Sequence, residues 1–230
     1  MPYPKATSWQ MFDRIASRYD FLNRVLSLGI DRSWRKRLVA EAPLAAQTIV
    51  DLATGTGDVL LTFERCYPGN PVLKGYDLSS GMVSEGVQKC QRLGSRVTLL
   101  MGDAANIPEP DAIADIVTMS FGIRNVPDVP QVLSEIHRLL KPEGTVLILE
   151  FTMPKFPVLS WGYKLYFRYI LPWVGGLISG DRHAYTYLNR TVESFADQTA
   201  FLALLQKNGF RNTKAISLTF GIASLYYAQK

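Results

Sequence analysis

The chain has 230 residues, 47% hydrophobic, 20% charged and 11% aromatic, proportions that exclude a disordered or fibrous polypeptide and suit one domain with one core. Two cysteines, Cys66 and Cys90, give no disulfide framework and no metal-ligand spacing, so a reducing, intracellular setting is expected. The whole net charge of +5 sits in residues 1–40, where eight cations face Asp13, Asp20 and Asp31, while residues 41–230 carry 17 charges of each sign.

Such a basic segment would meet phosphates, an anionic membrane surface or an acidic partner, or would be a solvated helix face. The N-terminus lacks the apolar run of a signal peptide, and no run of about 18 uncharged apolar residues occurs, so neither secretion nor a spanning helix is expected. Within residues 8–42, Met11, Phe12, Ile15, Tyr19, Leu22, Val25 and Leu26 recur at three- and four-residue spacing. This predicts helices broken near Gly29, with Ser8 as the cap.

From residue 48 the period changes. TIVDL, PVLKGYD, RVTLLMGD, ADIVTMS and GTVLILE are short apolar runs rich in β-branched residues, and DVLLTFERC, SGMVSEGVQKCQRL and VPQVLSEIHRLLK lie between them with helical spacing. Strands fed by helices and apolar almost throughout predict a parallel sheet covered on both faces, an α/β doubly wound fold. Residues 156–179 are dense in aromatics and hold only Lys164 and Arg168 as charges. Beyond them, ESFADQTAFLALLQKNGF predicts a helix ending at Gly209, and AISLTFGIASLYYAQ predicts two strands joined at Phe220-Gly221, an antiparallel hairpin that completes the sheet. The expected division is a helical cap (1–42), a cofactor-binding core (43–153), a lid or insertion (154–195) and a C-terminal helix and hairpin (196–230).

The first strand runs into Asp51-Leu-Ala-Thr-Gly55-Thr-Gly57-Asp58. Glycines here let the backbone bend and approach a ligand, and the next helix presents free N–H groups, at the place where open α/β sheets bind nucleotide-like molecules. Asp77, closing the second strand, suits the two hydroxyls of a ribose. A dinucleotide pattern would want a third glycine where Leu60 stands, which weakens pyrophosphate binding and a nicotinamide-dependent oxidoreductase reading. Asp51 suits a ligand with a cationic amino-acid end, and Asp103, ending the third strand, suits an adenine amino group.

Three acidic strand ends around one glycine turn resemble the S-adenosylmethionine site of Rossmann-like class I methyltransferases, with Ala53 in place of a common first glycine. A narrower resemblance lies in Tyr19-Asp-Phe-Leu-Asn-Arg-Val-Leu-Ser-Leu-Gly29-Ile-Asp-Arg-Ser-Trp34, in Phe121-Gly-Ile-Arg-Asn125, in Arg138-Leu-Leu-Lys-Pro-Glu-Gly144 leading to Leu149-Glu-Phe-Thr152, and in Asp181 to Leu188. Together these are similar to the menaquinone and ubiquinone biosynthesis C-methyltransferases, from about residue 10 onward. Leu22, Asp31 and Glu143 depart from the usual Met, His and Gly. The resemblance implies that Thr56, Asp77, Asp103, Ala104 and Ser120 line the cofactor site. The activity it implies is methylation of demethylmenaquinol, or of a polyprenyl methoxy-benzoquinol, with S-adenosylmethionine as methyl donor.

Such a reaction needs a nucleophilic ring carbon held in line with the methyl group, and stabilisation of the quinol oxygen as its proton leaves. Arg124 and Asn125, just past the fourth strand, are the candidates to face that oxygen, Arg124 as an electrostatic stabiliser because a guanidinium is a poor proton acceptor. Otherwise Arg124 is a structural salt bridge and Asn125 a turn cap. Tyr19, His183 and Tyr185 are candidate substrate contacts. A polyprenylated quinol dissolves in lipid, so the aromatic segment reads as interfacial, giving peripheral contact with the inner face of a membrane, or as a packed cap or homodimer contact. A basic nucleic-acid-binding module is the remaining alternative, and no nucleic-acid motif accompanies the N-terminal charge, so no nucleic-acid partner is expected.

Overall fold

The computed structural model describes residues 4–154, 187, 190–195 and 197–230. Helix α1 (Ser8–Leu26) and helix α2 (Asp31–Ala40) are separated by a turn in which Gly29 adopts φ +77°. Ser8 is the first helical residue, and its hydroxyl donates to the Lys5 carbonyl at 2.9 Å instead of accepting from the helix start.

Strands β1 (Thr48–Leu52), β2 (Val72–Asp77), β3 (Thr98–Met101), β4 (Ala114–Ser120) and β5 (Leu140–Phe151) alternate with helices α3 (Asp58–Cys66), α4 (Ser80–Leu93) and α5 (Val129–Leu139). Helix α6 (Gln198–Lys207) precedes strands β6 (Arg211–Leu218) and β7 (Ala223–Gln229). The seven strands run in the order β3-β2-β1-β4-β5-β7-β6. Neighbours from β3 to β5 are parallel, and β7 is antiparallel to both β5 and β6. The chain winds outward from β1 to β3 and then crosses to β4 on the other side, so β1 and β4 flank the switch point beyond which such sheets bind ligands.

Period-two alternation builds two apolar layers. Ile49, Ile116, Leu147 and Leu225 pack with Trp34, Leu38, Leu60 and Phe63 on one face. Val50, Leu52, Val117, Ile148 and Tyr226 pack with Leu133, Ile136, Phe201 and Leu205 on the other. Leu60, in the position a dinucleotide site gives to glycine, is wholly buried, and Gly75 makes room for it: a Cβ on Gly75 would lie 2.9 Å from Leu60 Cδ1 and 2.6 Å from Thr54 Oγ1.

Three boundaries differ from expectation. The helix predicted over residues 193–210 is interrupted and restarts at Gln198, because the Asp197 carboxylate accepts from the Ala200 N–H at 2.8 Å and caps a new helix there. Strand β6 begins at Arg211, well before the apolar stretch, because Arg211 pairs with Gln229 across a register irregularity. This is a sheet edge, where polar residues such as Arg211, Asn212 and Lys214 are favoured over apolar ones. Helix α5 ends at Leu139, because Leu140 already pairs with Ala114 and the turn after it is closed by Glu143 at φ +62°. Among the described residues no helix is long and apolar enough to cross a membrane.

Candidate active site at the carboxyl ends of the central strands

Register places the first functional pair. Asp51 of β1 lies opposite Thr118 of β4, and its carboxylate accepts from the Thr118 hydroxyl at 2.5 Å and from the Thr54 hydroxyl at 2.7 Å. It is 1% exposed, and burial pushes its carboxyl up to about 7, against the pull of both hydroxyls.

The turn after β1 holds Ala53 at φ +49°, Gly55 at +57° and Gly57 at +80°. Only Ala53 among the three carries a side chain, so it sits in a region that costs an L-residue roughly 1–2 kcal/mol. Asp77, at the end of β2, accepts from the Gly55 N–H at 2.7 Å and from the Ser79 N–H at 2.9 Å. Burial raises its pKa while these N–H donors oppose the rise. Each oxygen keeps a further lone pair, and the carboxylate borders a cavity of about 400 Å³.

That cavity is lined by Gly55, Asp77, Asp103, Ala104, Ser120 and Asn125 from the strand ends, and by Lys5, Phe12 and Tyr19 from the N-terminal segment. Ser120 Oγ and Asn125 Oδ1 are buried and have no hydrogen-bond partner among the described residues. Buried polar atoms are rarely left unpaired, and Ser120 and Asn125 both belong to the cavity lining, so a ligand there has two polar groups within the wall to satisfy. The Asn125 amide donates to the Phe121 carbonyl at 3.2 Å, and its Oδ1 has no partner among the described residues.

Arg124 lies behind this wall. It is 4% exposed, donates to the Phe121 carbonyl and the Glu150 carboxylate, and stacks its guanidinium 5.3 Å from the Phe151 ring centre. The salt-bridge alternative raised from the sequence therefore describes its contacts, yet its charge still reaches the cavity. It helps hold down the Lys5 ammonium, after burial, and opposes the burial that raises the Tyr19 phenol.

Helix α1 covers the cavity and is fastened at two acids. Asp13 accepts from the Gly81 N–H at 2.6 Å and the Ser79 hydroxyl at 2.8 Å, closing the start of α4. These bonds, the Gly81 N–H first, draw its pKa down. Asp20 accepts from the Thr56 hydroxyl and from Lys89, each at 2.6 Å, and Lys89 also reaches Asp58 at 2.8 Å.

The candidates drawn from the sequence thus fall into three groups. Tyr19, Gly55, Asp77, Asp103, Ala104, Ser120 and Asn125 meet at one cavity. Asp51, Thr56, Gly57 and Arg124 form the shell behind it, with the Thr56 hydroxyl turned to Asp20 and Lys89. His183, Tyr185 and the aromatic stretch 156–179 lie outside the described residues. Sequence reasoning missed Lys5, Phe12, Asp128 and Gln131 of the lining; the seven-residue spacing of Phe12 and Tyr19, which sets both on one helical face, was the available signal.

A doubly wound sheet with a glycine turn, acid-tipped strands and a ligand-sized cavity at its switch point defines the methyltransferase class. A methyltransferase from Thermotoga maritima described as S-adenosylmethionine-dependent has the same fold, with a TM-score of 0.69 at 17% identity over 96% of this chain and 99% of that one. The model of the ubiE/COQ5 methyltransferase family matches residues 5–230, and the chain belongs to that family. It is 46% identical to the ubiquinone/menaquinone biosynthesis C-methyltransferase UbiE of Syntrophotalea carbinolica, over 94% of this chain and 91% of that one. It is 41% identical to the demethylmenaquinone methyltransferase of Thermus thermophilus, over 96% and 100%.

Proposed function

We propose that the chain methylates the aromatic ring carbon of demethylmenaquinol, with S-adenosylmethionine as methyl donor. The observation that carries this reading is the pair of unpaired buried oxygens, Ser120 Oγ and Asn125 Oδ1, on the cavity that Asp77 and Asp103 also border. The site fits the donor: Asp77 for ribose hydroxyls, the Asp103 and Ala104 strand end for adenine, and Asp51 beneath the turn for a cationic amino-acid end. The donor, when bound, supplies an electrophilic methyl group on a sulfonium.

The chain's own residues do the rest. Asn125 Oδ1 accepts from the quinol hydroxyl and fixes the ring. Water takes the hydroxyl proton, and Arg124, through its charge, favours the resulting phenolate, which raises electron density at the adjacent carbon. That carbon takes the methyl group as the sulfonium leaves as the thioether, and its own hydrogen then departs to water as a proton, restoring the aromatic quinol. Tyr19 and Phe12 confine the ring and exclude water, so that orientation contributes much of the roughly 7–11 kcal/mol available from proximity. His183 and Tyr185 remain proposed contacts of the substrate. Residues 1–42 act as the cap of the site, and the enzyme works in the cytoplasm in peripheral contact with the membrane that dissolves its substrate.

Both relatives' names include menaquinone chemistry and one adds ubiquinone, so a polyprenyl methoxy-benzoquinol is the second substrate. Incubating the protein with labelled S-adenosylmethionine and each reduced quinone tests the reading. Label in methylated naphthoquinol supports it, and label in neither product overturns it.

A further inference from the structure

We propose that the outward face of α1 and of the turn into α2 is a docking surface for an anionic phospholipid bilayer. The proposal rests on the function proposed above for its purpose, since a polyprenylated quinol has to be collected from lipid, but it stands on separate observations.

The first is the sorting of charge. All three acids of residues 1–40 are engaged by partners within the fold: Asp13 by the start of α4, Asp20 by Thr56 and Lys89, and Asp31 by Ser27 and Arg35. Arg14, Arg18, Arg24, Arg32 and Lys36 are exposed. The positive excess of this segment therefore lies mainly on its outer surface.

The second is the apolar set among those cations. Phe21 is 58% exposed, Leu28 83% and Ile30 37%. At 3.6 residues per turn, Arg14, Arg18, Phe21 and Arg24 share one stripe of α1, half a turn away from Phe12 and Tyr19, which line the cavity. One helix thus turns one face to the reaction and the opposite face outward, with large apolar side chains flanked by basic ones, the composition that lies in the headgroup region of a bilayer. Cations draw the protein to anionic lipid over a Debye length, and the apolar side chains insert.

Flotation of the full chain with vesicles of phosphatidylcholine alone, or containing phosphatidylglycerol, tests this at low and high salt. The expected result is binding to the anionic vesicles only, weakened by salt. Binding should fall at least tenfold in Arg24→Glu/Arg32→Glu and severalfold in Phe21→Ser/Leu28→Ser. Both variants should melt with the wild type and methylate a detergent-dispersed quinol at its rate. Absence of vesicle binding by the wild type, equal binding by both variants, or retention on single-stranded RNA as strong as on the vesicles overturns the proposal. Vesicle binding as expected with no methylation by the wild type would instead overturn the proposed function and leave the docking surface standing.

Discussion

Asp20 of α1 accepts a hydrogen bond of 2.6 Å from the hydroxyl of Thr56, the residue between Gly55 and Gly57. The helix that covers the cavity is thereby tied to the turn that forms its floor, and Lys89 joins both to Asp58. Closing the cap and ordering the turn become one event. Asp20→Ala should weaken binding of S-adenosylhomocysteine about tenfold, the value of one charge-assisted hydrogen bond, and should speed tryptic cleavage in residues 14–24. Calorimetry and limited proteolysis measure the two effects; unchanged affinity would show that cap and turn are independent.

Asp51 makes binding depend on pH. Burial holds its carboxyl at about 7, so the folded protein keeps a proton that the unfolded chain loses near its ordinary carboxylate value. Stability therefore falls as pH rises from about 4 to 7 and is level above. A cationic amino-acid end bound nearby favours the ionised form, so affinity for S-adenosylhomocysteine should rise severalfold between pH 6 and 8. Asp51→Asn should flatten both dependences, as titration calorimetry and urea unfolding across this range would show.

The Arg124–Glu150 pair is almost wholly enclosed, with side chains 5% and 0% exposed. Removing one partner of such a pair costs about 3–5 kcal/mol because the other charge stays buried. Glu150→Ala should lose that much in urea unfolding. Arg124→Lys should fold more stably than Glu150→Ala yet still lose turnover, because an ammonium cannot hold the Phe121 carbonyl and Glu150 with the fork of a guanidinium.

Glu143 occupies a left-handed turn at φ +62°, a conformation that favours glycine. Its ion pair with Arg211, 2.7 Å long, joins side chains 72% and 60% exposed and contributes little. Relief of backbone strain, roughly 1–2 kcal/mol, outweighs the entropy glycine adds to the unfolded chain, about 0.4–1 kcal/mol. Glu143→Gly should therefore raise the melting temperature by about 2 °C, with activity unchanged.

Much of this arrangement is legible in the sequence, for local reasons. The β-branched runs and the helical spacing of residues 58–66 and 80–93 coincide with β1, β2, β4, α3 and α4, because each element's own pattern decides it. Strand β6 is less legible, since its first residues are polar and exposed at the sheet edge and only Ala215, Ile216 and Leu218 pack against the core. The acids at strand ends could be read because topology carries every parallel strand's carboxyl end to one side. What could not be read is which way a side chain turns once there. Asp77 and Asn125 line the cavity, whereas Thr56 and Arg124, neighbours of cavity residues, are drawn backward by partners from distant segments, Asp20 and Glu150.

Methyl transfer itself is the most direct test. The protein, incubated anaerobically with S-adenosylmethionine and demethylmenaquinol, should give menaquinol by mass spectrometry, and Asn125→Ala, which removes the unpaired oxygen without touching Asp77, should lower kcat at least tenfold while leaving S-adenosylhomocysteine affinity intact. No methylated quinol from the wild type, or full turnover by Asn125→Ala, would contradict the account.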